Sequence, residues 1–407
     1  MTSRTPDLRP DFLWGASTSP HQIEGNNVNS DWWRMEHQSQ GILELSGDAL
    51  DSYHRYGEDM RLLADAGLNA YRFGIEWARI EPEPGEFSQA ELAHYRRMIE
   101  TARGLGLEPV VTLHHFSSPR WFTDEGGWTG ATAVDRFTRY VEQACAILHD
   151  VNWVVTINEP NILALMSGMA AAVAEGADIN LGADVRMPTP SKEIGEALVR
   201  AHRAAVAVVH EHTSAKVGWT VAQQALVPAP GAEKLHAELK WAWEDLYHDG
   251  ARGDDFLGVQ SYTSQTVDEK GIVAHPGHPD NTLTGWAYRP DALGIALRQA
   301  WEATDGQLPL LVTENGIATT DDTRRIAYTT EALGHLHQAV ADGVDVRGYL
   351  HWSALDNYEW GHWAPTFGLI AVDRETFART PKPSLAWLGD VARKGGALGA
   401  QGAHAEG

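Results

Sequence analysis

The chain has one cysteine, Cys145, in 407 residues. A lone thiol excludes any disulfide within the chain and fits a reducing compartment. No stretch approaches the run of about 18 apolar residues that a membrane-crossing helix needs. The opening MTSRTPDLRPDFLWG is polar where a secretory signal would carry an apolar run. The expectation is a cytoplasmic protein with no membrane partner. Basic residues are also scarce, with 32 Lys and Arg against 55 Asp and Glu and a formal net charge of −23. A field of that sign repels phosphate backbones, so no nucleic-acid partner is expected. Three motifs of familiar chemistry are missing. There is no HExxH, and His114 and His115 are adjacent rather than at ligand spacing, so no metal is expected. No GxSxG marks a serine nucleophile and no GxGxxG marks a dinucleotide, so no cofactor is expected.

What the chain has in excess is tryptophan: 16 residues, against 11 Tyr and 9 Phe. Indoles fill cores, and they also stack well on the apolar face of a pyranose. Trp14, Trp77, Trp153 and Trp219 lie within or beside strand-like runs and are assigned to the core. Trp32, Trp33, Trp121 and Trp286 fall in loops, where packing and ligand contact compete.

Eight short, continuously apolar runs recur along the chain: 12–16, 70–75, 109–114, 153–158, 217–222, 256–260, 310–314 and 346–352. Continuous rather than alternating apolarity is the mark of strands buried on both faces. The segments between them carry helical spacing, such as Leu50, Tyr53, Met60 and Leu63 closing on Gly67, and the Ala/Val-rich stretch from Glu193 to His210. Strand alternating with helix eight times predicts an α/β fold, a single (β/α)8 TIM barrel. The catalytic barrel is expected over 1–393, with 394–407 a flexible C-terminal tail. Long loops at 25–48, 168–191 and 263–289 follow the first, fourth and sixth strands, where a barrel builds its active-site mouth. His335 and His337, on a helical segment, are expected to face solvent.

A barrel places catalytic groups at the carboxyl ends of its strands. Polar residues fall there: Gln22 and Glu24 beyond the first strand, Arg72 in the second, and His114 and His115 after the third. Asn158 and Glu159 end the fourth, Tyr262 follows the sixth, Glu314 ends the seventh and Trp352 the eighth. One Glu at a strand end is commonly a structural ion pair. Two, each beside an Asn, are the minimum equipment for glycoside hydrolysis, one protonated and one ionised. Arg72 and Tyr262 are the natural groups to hold Glu314 ionised.

The segments DFLWGASTSPHQIEG (11–25), SDWWRMEH, GDALDSYHRYGEDMRLLADAGLNAYRFGIEWARIEP, TLHHFSSPRW, TINEP (156–160), DFLGVQSYTS, VTENG (312–316) and HWSALDNYEW (351–360) resemble glycoside hydrolase family 1, in order, over residues 11–373. The resemblance implies a retaining, exo-acting β-glycosidase, a β-glucosidase first and with β-galactosidase or β-fucosidase activity, whose partner is a small-molecule β-glycoside. It implies Glu159 as acid/base, Glu314 as nucleophile, and Arg72 and Tyr262 as the pair orienting the nucleophile. It implies Asn158 at the sugar 2-hydroxyl, Gln22, His115, Glu359 and Trp360 at the other hydroxyls, and Trp352 as the platform under the ring. Glu359 stands where a 6-phosphoglycosidase would make room for phosphate, so neutral glycosides are expected. The family's Asn-Tyr-Tyr is Gln260-Ser261-Tyr262 here, and GHWAPTFGL replaces the usual run after Glu359-Trp360. Two alternatives stay open: transfer to an acceptor other than water, and a non-catalytic sugar-binding barrel.

Overall fold

The computed structural model describes residues 8–174 and 186–398. Eight parallel strands close into a barrel: β1 (Leu13–Ser17), β2 (Ala70–Gly74), β3 (Glu108–Thr112), β4 (Trp153–Asn158), β5 (Lys216–Ala222), β6 (Phe256–Gln260), β7 (Leu310–Glu314) and β8 (Val346–Trp352). Every predicted strand is present, displaced by at most two residues at either end. Closure runs through β1 and β8, with Leu13 beside Gly348 and Ser17 beside Trp352.

Helices cover the outside: α1 (Asp31–Gln38), α2 (Ser52–Ala66), α3 (Gln89–Gly104), α4 (Ala133–Cys145), α5 (Pro160–Ala174) and α6 (Lys192–His212). After β5, α7 (Glu233–Lys240) continues through a π turn into Leu246–Gly250; α8 (Ala292–Ala303), α9 (Asp322–Ala341) and α10 (Pro383–Arg393) follow. Ser88 and Ser191 cap α3 and α6 by accepting backbone N–H groups of Glu91 and Ile194. Gly67 ends α2 with φ 101°, a left-handed conformation that glycine adopts freely.

The strands separate two cores. Leu13, Ala70, Val110, Trp153, Val155, Phe256, Leu311 and Leu350 point inward and plug the barrel. Their neighbours, such as Trp14, Tyr71, Val111, Val154, Trp219, Leu257, Val312 and Tyr349, point outward and pack under the helices. Two faces, both apolar, are why the runs read as continuous. Gly258 belongs to the inner set: a Cβ there would lie 2.4 Å from Thr220 Cγ2 and 2.9 Å from Thr313 Oγ1.

Two expectations need correction. His335 is exposed, but His337 is buried at 4% exposure. It lies on the face of α9 that carries Leu333 and Leu336, and Gly396 closes over its ring. The second concerns the tail. Residues 394–398 turn back onto the body, with Gly396 N donating to Val391 O and Leu398 packed against the outer core. The remainder, 399–407, lies outside the described residues, as do 175–185 of the loop after β4. Among the described residues, no helix is long and apolar enough to cross a membrane.

Candidate active site

The carboxyl ends of the strands surround a polar pit, and two irregularities in the sheet aim its key residues. On β4, Trp153 and Val155 point inward, so strict alternation would send Asn158 to the helical side. The β4–β5 register shifts between Val155↔Gly218 and Asn158↔Thr220, three residues opposite two. On β7, Leu310 and Val312 face outward, and Glu314 shares their parity. The β6–β7 register shifts between Val312↔Val259 and Glu314↔Gln260, two residues opposite one. Bulges of this kind re-aim side chains, and both turn a residue with outward parity into the pit.

Arg72, buried at 0% exposure, organises what gathers there. Its Nη1 donates to Glu314 Oε1 at 2.5 Å, its Nη2 to Asn158 Oδ1 at 2.5 Å, and its Nε to Thr112 Oγ1 at 3.0 Å. Tyr262 Oη donates to the other Glu314 oxygen at 2.5 Å. Asn158 Oδ1 also accepts from Thr220 Oγ1 and Gln260 Nε2, each at 3.1 Å. With its oxygen committed, Asn158 turns its amide N–H toward His115 Nε2, 3.1 Å away. That nitrogen accepts, so the His115 proton resides on Nδ1. Burial, with Arg72 nearby, holds His115 neutral by pushing its pKa well below the usual range.

A second group forms the opposite wall. Gln22 Nε2 donates to Asn357 Oδ1 and Tyr358 O, each at 2.8 Å, and to Glu359 Oε2 at 3.2 Å. Trp352 Nε1 donates to Glu359 Oε1 at 3.2 Å. Burial pushes Glu359 up to about 8 despite those donors. His115 joins the two walls: its ring lies near-parallel to Trp352 at 6.0 Å and to Trp360 at 5.8 Å. Hydrogen bonds and ring contacts thus bring together nine of the ten residues predicted for the site, and the tenth, Glu159, lies near enough to feel the Glu314 charge.

The two carboxyls differ in their surroundings. Glu159, with φ 43°, begins the turn into α5, and its backbone N–H donates to Thr220 O at 2.8 Å. Among the described residues no group donates to its carboxyl. Burial pushes its pKa well above the carboxylate range, and the neighbouring Glu314 charge pushes further. Burial raises Glu314 too, but Arg72 and Tyr262 oppose it with a charge and hydrogen bonds to the ionised form. The shared proton belongs on Glu159. Replacing Tyr262 with Phe removes one of these donors. A hydrogen bond to a charged group is worth about 1.5–3 kcal/mol, so kcat/KM is expected to fall about 10- to 100-fold. Glu314 then ionises at higher pH, and the acidic limb of the pH–kcat/KM profile should move upward. An unmoved limb would show that Tyr262 does not support the ionised form.

Two polar residues read at strand ends turn away from the pit. Glu24 pairs with Arg79 at 2.8 Å and accepts from Tyr95, tying the loop after β1 to α3. His114 contacts Ser118 Oγ at 2.9 Å and packs edge-on to Trp128. Trp14, Trp77, Trp153 and Trp219 are buried, as assigned. Of the loop group, Trp32 lies on α1 against Trp360, and Trp121 packs edge-on to Trp77. Trp286 is 37% exposed, 5.6 Å from the Tyr262 ring. Thr112, Thr220 and Asn357, which hydrogen-bond Arg72, Asn158 and Gln22, were not singled out from the sequence. Inward parity on β3 and β5 was the available signal for the two threonines.

A neutral imidazole, a carboxamide, an indole floor and two unlike carboxyls offer hydrogen bonds and stacking to a polyhydroxylated ring, and an acid and a nucleophile to the bond leaving it. Set at the strand ends of a closed parallel barrel, they define the class as a glycoside hydrolase. The sequence model of glycosyl hydrolase family 1 matches residues 4–251 and 248–397, and the chain belongs to that family. It is 31% identical over 432 residues to thermostable β-glucosidase B of Thermobispora bispora, covering 95% of this chain and 90% of that one. It is 29% identical over 453 residues to a bifunctional β-D-glucosidase/β-D-fucosidase of Bifidobacterium breve, covering 92% and 96%. Among solved structures, the β-glycosidase BGL167 is 41% identical with a TM-score of 0.85, covering 97% of this chain and 99% of that one.

Proposed function

We propose that this glycoside hydrolase removes single sugars from non-phosphorylated β-D-glycosides, β-glucosides first, by double displacement. Glu314 attacks the anomeric carbon, and Glu159 protonates the departing oxygen. The bond to the aglycone breaks as the bond to Glu314 forms. Glu159, now ionised, takes a proton from water, whose oxygen displaces Glu314 with a second inversion and net retention. The observation that carries this reading is the asymmetry of the pair: Arg72 and Tyr262 grip one carboxyl at 2.5 Å each, while among the described residues no donor reaches the other, which burial and the Glu314 charge push toward its protonated form.

Asn158, with its oxygen tied to Arg72, presents its amide to the 2-hydroxyl beside the reacting carbon. Gln22, His115, Glu359 and Trp360 take the remaining hydroxyls, and Trp352 underlies the ring. The Glu359 carboxyl exchanges hydrogen bonds with a hydroxyl at the far end of the sugar and brings no positive charge to meet a phosphate there, which supports neutral substrates. Residues 1–393 act as one catalytic unit, and the lone, buried Cys145 supports a cytoplasmic setting. The similarity to a bifunctional glucosidase/fucosidase supports β-fucosidase activity alongside the glucosidase.

The test is a panel of nitrophenyl β-D-glucoside, galactoside, fucoside and mannoside, with the product anomer read by NMR. The β anomer should form first, with glucoside and fucoside both turned over and mannoside poorest, because its 2-hydroxyl points away from Asn158. An α product, or mannoside as the preferred substrate, would overturn the reading.

A further inference from the structure

We propose that His21 and Glu36 form a buried positioning pair that fixes Trp360, and with it the wall reading the 4- and 6-hydroxyls of the sugar. The proposal rests on the assignment of Trp360 and Glu359 to sugar binding made above, and takes their hydroxyls to be those at the end of the ring away from Asn158, the 4- and 6-hydroxyls. Neither His21 nor Glu36 has a place in the bond-breaking chemistry, yet both side chains are 0% exposed, with Nε2 and Oε2 3.6 Å apart. Burying a carboxylate is costly unless it is paired and hydrogen-bonded. Asn27 Nδ2 lies 3.3 Å from His21 Nδ1. An amide nitrogen donates, so Nδ1 accepts, and Nε2 is the ring nitrogen turned toward Glu36.

What the pair holds lies on either side of it. The His21 ring lies parallel to the Trp360 indole, with 7° between planes and 5.8 Å between centroids, and edge-on to Tyr358 at 5.9 Å. Trp32 of α1 closes on Trp360 at 4.8 Å. Glu36, also on α1, accepts from Ser46 Oγ at 2.6 Å and Ser46 N at 3.2 Å. The loop so fastened grips the segment carrying Trp360: Tyr358 Oη donates to Glu44 O at 2.6 Å, and Glu44 N donates to Gly361 O at 2.8 Å.

The backbone shows why a grip is needed. Trp360 has φ 46°, in the left-handed region, where a bulky side chain is disfavoured. Such a conformation persists only where its surroundings over-determine it. His21, Trp32, Phe116 and the Glu36-anchored loop are those surroundings here; Phe116 lies edge-on to Trp360 at 5.0 Å. Glu36 therefore fixes both the ring against Trp360, through its approach to His21 Nε2, and the loop that clamps its neighbours. It is a positioning residue, acting on the sugar through Trp360.

The test compares Glu36→Gln and Trp360→Ala on nitrophenyl β-glucoside, its 4-deoxy analogue and nitrophenyl β-xyloside, which lacks the C6 hydroxymethyl. For Glu36→Gln, kcat/KM on the glucoside is expected to fall about tenfold, mostly through KM, and only about threefold on each truncated substrate, which keeps one of the two hydroxyls. Trp360→Ala should give the same pattern with a larger loss, and the double variant should be no worse than Trp360→Ala alone. Ser46→Ala, which removes one hydrogen bond from Glu36 and keeps its charge, should reproduce the pattern at about two- to threefold, and decides the matter if Glu36→Gln fails to fold. Equal losses on all three substrates, or none, would overturn the proposal. If Trp360→Ala itself does not discriminate among the substrates, the sugar-binding assignment fails. If Trp360→Ala discriminates and Glu36→Gln and Ser46→Ala do not, only the positioning role fails.

Discussion

Replacing Glu314 with alanine is expected to lower kcat on nitrophenyl β-glucoside on the order of 10⁴- to 10⁶-fold, the scale of losing a covalent nucleophile. The size follows from the geometry. Glu314 is the carboxyl on which the Arg72 guanidinium and the Tyr262 hydroxyl converge, and the proposed double displacement has no first step without it. Removing it also strands Arg72 as a buried charge, and breaking a buried pair costs about 3–5 kcal/mol of stability. Glu314→Gln is the companion variant, since it keeps the size and one acceptor oxygen. Its activity should be equally low while its melting temperature stays closer to that of the wild type. The alanine variant leaves a gap beneath the anomeric carbon. Added azide should enter it, attack from the face Glu314 used, and give the α-glycosyl azide by a single inversion. The checks are initial rates, melting curves and the product anomer by NMR. Activity within tenfold of wild type in both variants would remove Glu314 from the mechanism.

Replacing Glu159 with alanine should act differently, because its contribution depends on the leaving group. General acid catalysis supplies about 10²- to 10⁴-fold. That loss should appear in full in kcat/KM for alkyl glycosides, whose oxygen needs a proton to leave. A dinitrophenyl glycoside leaves without help, so its first step survives. The second step then lacks its base, and the glycosyl-enzyme should accumulate as a burst. Azide should relieve it and give the β-glycosyl azide, the opposite anomer to that from Glu314→Ala. The pH profile carries a second signature. The proposed mechanism uses Glu159 in its protonated form, and burial with the Glu314 charge raises its pKa. Wild-type activity should therefore fall as pH rises through that pKa, and the alkaline limb should vanish in Glu159→Ala. A limb that persists would assign the acid to another group.

Much of the site was legible from sequence because a parallel barrel turns chain order into spatial order. A polar residue at the end of an apolar run reaches the mouth, and Arg72, Tyr262 and Glu314 could be grouped before any distance was known. His337 was not legible, because the face of α9 it occupies is decided by the chain returning over it near Gly396. Glu24 and His114 occupy strand-end positions much like those of the site residues. They face helices instead, a matter of which side the chain leaves the strand, which composition does not encode.

The sequence by itself determined the barrel, through eight runs apolar on both faces, and singled out two carboxyls at the ends of its strands. Tertiary structure alone decided that Asn158 and Glu314 face inward. By the strict two-residue period of a strand, both belong on the helical side with Val154 and Val312. Each enters the pit because its strand has one residue more than its neighbour in the last turn of the register. An extra residue relative to a neighbouring strand is a property of the pair, visible only once both strands are laid side by side.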